Sequence, residues 1–392
     1  MIRLLLLLLP LFLIACGDDP TPLREAVAEI KTELAPDSRT DRVEVLIEGN
    51  VARGYTTIPE AFERLRATFA DYPNYETRVR LLPDTSVGRK PYGIVNVSVA
   101  NLRSQRGHSQ ELASQALLGT PLELLDREED WFLVRTPDRY IAWVERGAIT
   151  PATAAEMEDW YGGDLFFYQL PYAETTTEPD GGGEVIADPV MGSLVKKVGV
   201  QGAWTQVQLP SGEAGYNRSV MLRPASSWMQ PSGLEVDSLL ESARKLSGRP
   251  YLWGGTSAKG MDCSGFTKMA YHINGYLIPR DASQQVHAGE EVPLDDDLSA
   301  VRRGDLLFFG TLREDGSQRI THVGFYLGEG RLLHSGADNG RITEDNLMEG
   351  KPGFNAERRS SLLRAKRLSP GTPGVQTIAE AFAGLYTKSS SR

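Results

Sequence analysis

Val43, Val45 and Ile47 alternate with polar neighbours, the two-residue period of a half-buried strand. Ile58, Phe62, Leu65 and Phe69 then recur at helical spacing, behind Thr57-Ile58-Pro59-Glu60, which reads as a capping box with proline in the first turn. A second strand is predicted near residues 77–82. Upstream, residues 17–40 are mostly polar with a short helical stretch at 23–34, so 17–88 reads as a tether and a small α+β unit. From about 90 to 225 strand-like runs alternate with turn residues, and the pattern repeats. Adding 73 to Gly119, Trp131, Val134, Pro137 and Trp143 lands on Gly192, Trp204, Val207, Pro210 and Tyr216, which predicts a duplicated small barrel over 89–155 and 156–230. The polar run from Thr175 to Gly183 reads as a loop between the copies.

The last domain, 231–369, opens on a helical stripe of Val236, Leu239, Leu240, Ala243 and Leu246 that stops at Gly248 and Pro250. A second stripe, Phe266, Met269, Ala270 and Ile273, follows Asp262, a good N-cap residue. Strands are predicted at 304–309, 321–327 and 331–335, the last two joined through Gly328-Glu329-Gly330. Residues 370–392 read as a tail. The fold class is therefore α+β, in several domains.

Candidate chemistry gathers on this last domain. Cys263 falls in the first turn of its helix, where unpaired backbone N–H groups and the helix dipole favour a thiolate. A buried packing cysteine is the plain alternative. A nucleophilic thiol needs a base and a group to orient that base. Of the five histidines, His108 and His287 lie in polar segments, and His272 falls on the far side of the cysteine helix. His322 and His334 sit within apolar strands. A three-residue loop at 328–330, with Gly330 left-handed, places His334 opposite Gly324 and His322 diagonal to it on the same face. A two- or four-residue loop would separate them.

Composition narrows the rest. The chain has 392 residues and a formal charge of −10, from 52 acidic and 42 basic side chains, which argues against a general nucleic-acid binder. Leu4 to Ala15 is too short an apolar run to span a bilayer but fits the core of an export signal. Leu13-Ile14-Ala15-Cys16 resembles a bacterial lipoprotein box, so 1–16 reads as a lipoprotein signal with Cys16 acylated. The expected location is the membrane, facing the periplasm or the cell surface. Processing there leaves Cys263 as a lone thiol in an exported protein, which favours reactivity.

Tyr251-Leu252-Trp253-Gly254-Gly255, Asp262-Cys263-Ser264-Gly265-Phe266, Gly304-Asp305-Leu306, Thr321-His322-Val323-Gly324 and Leu333-His334-Ser335 together resemble the NlpC/P60 cysteine peptidases. Val97 to Arg103 opens a segment that resembles bacterial SH3-like domains. With paired SH3-like domains ahead of it, the chain is similar to YkfC-like γ-D-glutamyl dipeptidyl-peptidases. The resemblance implies a papain-like α+β catalytic domain with Cys263 as nucleophile, His322 as base and His334 as orienter. It implies cleavage of the γ-D-glutamyl–diamino acid bond in peptidoglycan-derived L-Ala-γ-D-Glu-diamino acid peptides, the diamino acid being lysine or diaminopimelate. An SH3-like domain would narrow the cleft so that a free L-Ala amine is required. Asp262 and Ser264 would hold substrate, Tyr251 would line the site, and Tyr140 of the first SH3-like copy is a candidate substrate contact.

The implied reaction is acyl transfer: thiolate attack on the γ-carbonyl, backbone N–H groups at the helix start receiving the oxyanion, and His322 protonating the leaving amine. Asp262 raises the thiol pKa, so the helix terminus and a cationic His322 are expected to outweigh it. No metal or organic cofactor is implied, and the protein is expected to act as a monomer. Two other readings stay open: an endopeptidase on intact peptidoglycan stems, and a non-catalytic wall-binding lipoprotein.

Overall fold

The computed structural model describes residues 20–386, so the export signal and Cys16 lie outside the described residues. The chain divides at Leu82 and Pro83 into two compact units. In the first, strands Val43–Glu48 and Val51–Thr56 form a hairpin, and Glu76–Leu81 adds parallel to the second of them. Helices Thr21–Leu34 and Pro59–Ala70 bury Leu23, Val27, Ile30, Ala61, Leu65 and Phe69 in one core with Val43 and Ile47. Two expectations change here. The stretch read as a tether is a structural helix of this unit. The capping box does not form, because the N-cap is Ile58 and the Thr57 hydroxyl accepts from the Arg42 N–H instead.

The second unit begins with two seven-stranded antiparallel sheets that share one topology. In each, the fourth, fifth and sixth strands in sequence form a meander. The first strand pairs with the fourth, the seventh with the first, and the third with the second. The first sheet runs from Tyr92–Val95 to Ile149–Ala152, the second from Leu165–Tyr168 to Leu222–Pro224. The repeat offset carries Trp131 at the start of one strand onto Trp204 at the start of its counterpart. It also carries the short helix Arg146–Ala148 onto Ser219–Met221. Thr175–Thr176 is itself a strand of the second sheet, so the predicted inter-repeat loop lies inside the second copy.

The last domain is a six-stranded antiparallel sheet covered on one face by helices Val236–Lys245 and Cys263–Ile273. The strand order is Glu290–Val292, Leu362–Arg367, Leu306–Leu312, Gln318–Gly328, Arg331–Gly336 and Arg341–Asn346. Val323, Phe325, Leu327 and Leu333 turn toward Phe266 and Met269 of the cysteine helix. Leu307, Phe309, Tyr326 and Leu332 form a separate cluster with Leu347 and Ala365. The described residues after Ser369, as far as Tyr386, are not a loose tail. Gln376–Thr377 pairs with Tyr276–Leu277, and helix Ile378–Tyr386 buries Ile378, Ala381 and Phe382 against Tyr92, Trp160 and Trp228.

Candidate active site

The cysteine segment is held from several directions. Asp262 caps the helix, its Oδ1 accepting from the Gly265 N–H at 2.7 Å, as its place before the apolar stripe predicts. Its Oδ2 accepts from the Gly254 N–H at 3.0 Å, which fixes the Trp253-Gly254-Gly255 turn against the helix start. A Cβ on Gly265 would lie 2.0 Å from the Gly255 carbonyl oxygen, so glycine there is a packing requirement. Ser335, next to His334, donates to the Met261 carbonyl at 2.8 Å. That bond ties the histidine strand to the residue two before Cys263. The Cys263 sulfur lies against the backbone N–H groups of Ser264 and of Val323, the neighbour of His322, and both favour its ionised form.

The two imidazoles are in direct contact. His322 Nε2 lies 2.9 Å from His334 Nδ1, and His334 Nε2 lies 3.0 Å from Asp345 Oδ2. Asp345 also accepts from Asn355 Nδ2 at 2.7 Å. The proton positions follow from the carboxylate. The hydrogen bond from His334 holds Asp345 below the usual carboxylate range, so it is ionised and can only accept. His334 must then donate through Nε2 and accept through Nδ1, and His322 must donate through Nε2. The His322 lone pair is therefore on Nδ1, the nitrogen outside the chain of hydrogen bonds.

The hairpin reaches this arrangement by an unexpected route. Glu329 and Gly330 make a two-residue turn, both left-handed at φ 54° and 77°, and Gly328 faces Arg331. Leu327 is bulged out, and beyond it Tyr326 faces Leu332 and Phe325 faces Leu333. The bulge supplies the odd residue that the loop was expected to supply, and the histidines share a face. A Cβ on Gly324 would sit 2.8 Å from the His334 Cβ, so only glycine fits opposite that imidazole.

Sequence reasoning missed Arg280 and Asp345. Arg280 is buried and well paired: it donates to Asp262 at 2.6 and 3.0 Å, to Ser264 Oγ at 3.0 Å and to Ser114 Oγ of the first barrel at 3.1 Å. The Asp262 carboxylate, expected to hold substrate, is thus already neutralised by a guanidinium. Tyr140 lies close enough for its hydroxyl to bear on the Arg280 charge. It is presented by a tight turn in which the Arg139 N–H donates to the Thr136 carbonyl at 2.8 Å. Tyr251 bridges to Met261, and burial, with Cys263 and Asp262 adding to it, raises its hydroxyl to about 12. The structure thus gathers Cys263, Asp262, Ser264, Tyr251 and Tyr140 at one place, beside the strand pair that carries His322 and His334. His108 and His287 are exposed, and His272 packs on Gly192 of the second barrel. No sequence signal marked Arg280. Asp345 was findable only by extending the hairpin to a third strand.

Electrostatics differ from expectation as well. Burial, with Asp262 adding to it, pushes the Cys263 thiol up to about 12, against the opposing pull of backbone N–H groups and Arg280. Burial, with His334 and Arg358, holds His322 well below the usual imidazole range. The resting pair is therefore a neutral thiol beside a neutral imidazole, not the expected ion pair. Among the described residues no group of three His, Cys, Asp or Glu side chains is placed to hold a metal ion. Nor is any described helix long and apolar enough to cross a membrane.

Residues 248–353 match the model of the NlpC/P60 family, and residues 102–149 that of the bacterial dipeptidyl-peptidase SH3 domain. The chain is similar to a dipeptidyl-peptidase 6 of Lysinibacillus sphaericus, 29% identical over 69% of this chain and 96% of that one. It is 48% identical to a γ-D-glutamyl-L-lysine dipeptidyl-peptidase of Bacillus subtilis over 26% of this chain and 32% of the relative. Among solved structures it resembles an NlpC/P60 family protein from Bacillus cereus, with a TM-score of 0.60 at 24% identity, covering 71% of this chain and all of the other. A cysteine at a helix start beside a histidine pair, within the stretch that matches this family and behind an SH3 domain of that type, marks residues 248–353 as an NlpC/P60 peptidase domain.

Proposed function

We propose that the protein hydrolyses the γ-D-glutamyl–diamino acid bond of cell-wall peptides that carry a free N-terminal L-Ala, releasing L-Ala-D-Glu. The observation that carries this reading is the buried Cys263 beside a His322–His334–Asp345 relay, in a site to which the first SH3-like barrel contributes Ser114 and Tyr140. His322 Nδ1 takes the thiol proton as sulfur attacks the γ-carbonyl, because neither group is charged beforehand. The C–S bond forms as the carbonyl π electrons move to oxygen. The Gly265 and Phe266 N–H groups are already used by Asp262, so the Cys263 N–H is assigned to the oxyanion. The imidazolium, stabilised through His334 by ionised Asp345, gives its proton to the departing amine. Water, deprotonated by the same nitrogen, then releases the dipeptide.

Tyr140, Tyr251, Asp262 and Ser264 are assigned to the dipeptide side. A wall-side location with acylation at Cys16 is part of the same proposal, supported by Leu13-Ile14-Ala15-Cys16. The test is product analysis on free and N-acetylated L-Ala-γ-D-Glu-diaminopimelate. The free peptide should yield L-Ala-D-Glu, the acetylated one should be spared, and Cys263→Ala should abolish the reaction. Equal hydrolysis of both peptides would replace this reading with an endopeptidase, and no hydrolysis of either would end it.

A further inference from the structure

Arg358 lies just past the family match, on the short helix Ala356–Ser360. That helix is anchored to the relay. Its N-cap Asn355 accepts from the Arg358 N–H at 3.0 Å and donates to Asp345 at 2.7 Å. The Arg358 side chain is only 16% exposed, and among the described residues its one ion pair is with Asp338, Nη2 to Oδ1 at 3.1 Å. Asp338 is itself beside the imidazoles: a Cβ on Gly336 would lie 2.2 Å from its Oδ1 and 3.0 Å from His334 Cε1. The Arg358 Nε is buried without a hydrogen-bond partner. Its charge bears on His322, on Tyr251 and on Asp345. A partly buried guanidinium with its Nε edge buried and unpaired is costly unless something else takes that edge.

The two arginines of the site divide the labour. Arg280 spends four of its five N–H groups on Asp262, Ser264 and Ser114, on the side assigned to the dipeptide. Arg358 stands by the imidazoles, which serve the leaving amine. Whatever faces Arg358 thus belongs to the residue that departs. A diamino acid brings an α-carboxylate when it ends the peptide, and diaminopimelate brings a second on its side chain.

We propose that Arg358 binds a carboxylate of the leaving diamino acid, and so selects peptides in which that carboxylate is free; this rests on the peptidase reading above. A planar fork of donors suits such an anion.

Four peptides test it: L-Ala-γ-D-Glu-L-Lys, its C-terminal amide, L-Ala-γ-D-Glu-diaminopimelate and that peptide with the α-carboxylate amidated. Wild-type protein should prefer the lysine acid over its amide if the α-carboxylate is bound. It should prefer the amidated diaminopimelate peptide over the lysine amide if the side-chain carboxylate is. Arg358→Gln should erase that preference, about 10- to 100-fold and mainly through KM, as loss of a hydrogen bond to a charged group does. Arg358→Lys should restore part of it. Equal slowing of acids and amides by Arg358→Gln, or a wild type indifferent to both the α-carboxylate and the side-chain carboxylate, would overturn the assignment while leaving the peptidase intact. Failure of wild type on all four peptides would overturn both.

Discussion

Between the sulfur and Asn355 the site is a single file of polar groups, and its direction is set at the far end. Ionised Asp345 fixes the tautomer of His334, which fixes that of His322 and leaves Nδ1 free to take a proton. Asp345→Asn keeps the volume but allows the amide to donate, which reverses the relay. We expect kcat to fall about 100-fold or more, the scale of a lost general base, with little change in KM, in steady-state kinetics. The acid limb of kcat/KM in wild type should lie below pH 6.5, because His322 must be neutral to act and its folded pKa is depressed. The same electrostatics make the resting thiol sluggish. Alkylation of Cys263 by iodoacetamide should keep rising past pH 9 rather than levelling off near neutrality, as a preformed thiolate would. These three residues show what a sequence discloses. Cys263 stood out as a lone thiol at a helix start, and the two histidines because each interrupts an apolar strand. Arg280 and Asp345 sit in polar-looking stretches, where only a third dimension distinguishes an internal partner from a solvated charge.

At the scale of elements, period and turn chemistry gave the cysteine helix and the central hairpin, down to the shared face of the histidines. The mechanism of the register differed, since a bulge at Leu327 and a two-residue turn are indistinguishable from a three-residue loop by counting residues. The C-terminal helix was missed for another reason: its partners, Tyr92 and Trp160, are some 200 or more residues away, and no local pattern signals so distant a contact. The cysteine helix also has a far face. His272 donates toward the Gly192 carbonyl at 3.3 Å, and the Trp228 indole donates to the His272 carbonyl at 2.7 Å. Burial lowers the His272 pKa to about 4. The unfolded chain takes up that proton near pH 6.5 while the folded one refuses it until about pH 4, so this stabilisation is full above pH 6.5 and drains away as pH falls between those values. His272→Asn should flatten the pH dependence of thermal stability across that window, by up to about 3 kcal/mol in chemical denaturation.

Across the whole second unit, the two barrels have kept one topology and taken different posts. The second braces the back of the cysteine helix through Gly192. The first holds the front, with Gln115 accepting from the Thr256 N–H at 2.9 Å, Glu111 from the Trp253 indole at 2.8 Å, and Asp138 from Lys268 of the cysteine helix. Asp138 and Lys268 are both buried, so removing one partner strands a charge. Lys268→Ala should cost about 3–5 kcal/mol, whereas replacing both with apolar residues of similar size should cost far less, in denaturant unfolding of the full chain. The repeat was legible because both copies keep the same tryptophan, valine and glycine positions. That one copy would reach into the site was not, since Ser114 and Asp138 look like any barrel surface residue in one dimension.

The bond from Arg280 to Ser114 has a consequence for how such proteins diversify. A guanidinium that also grips the residues flanking the nucleophile is braced from a separate domain, so the acyl side of the cleft is assembled by docking and not by the catalytic fold alone. Selection can then retune which peptide ends are admitted by altering a barrel loop, leaving sulfur and imidazoles untouched. A lineage that lost this grip would keep its chemistry and open its door to longer chains.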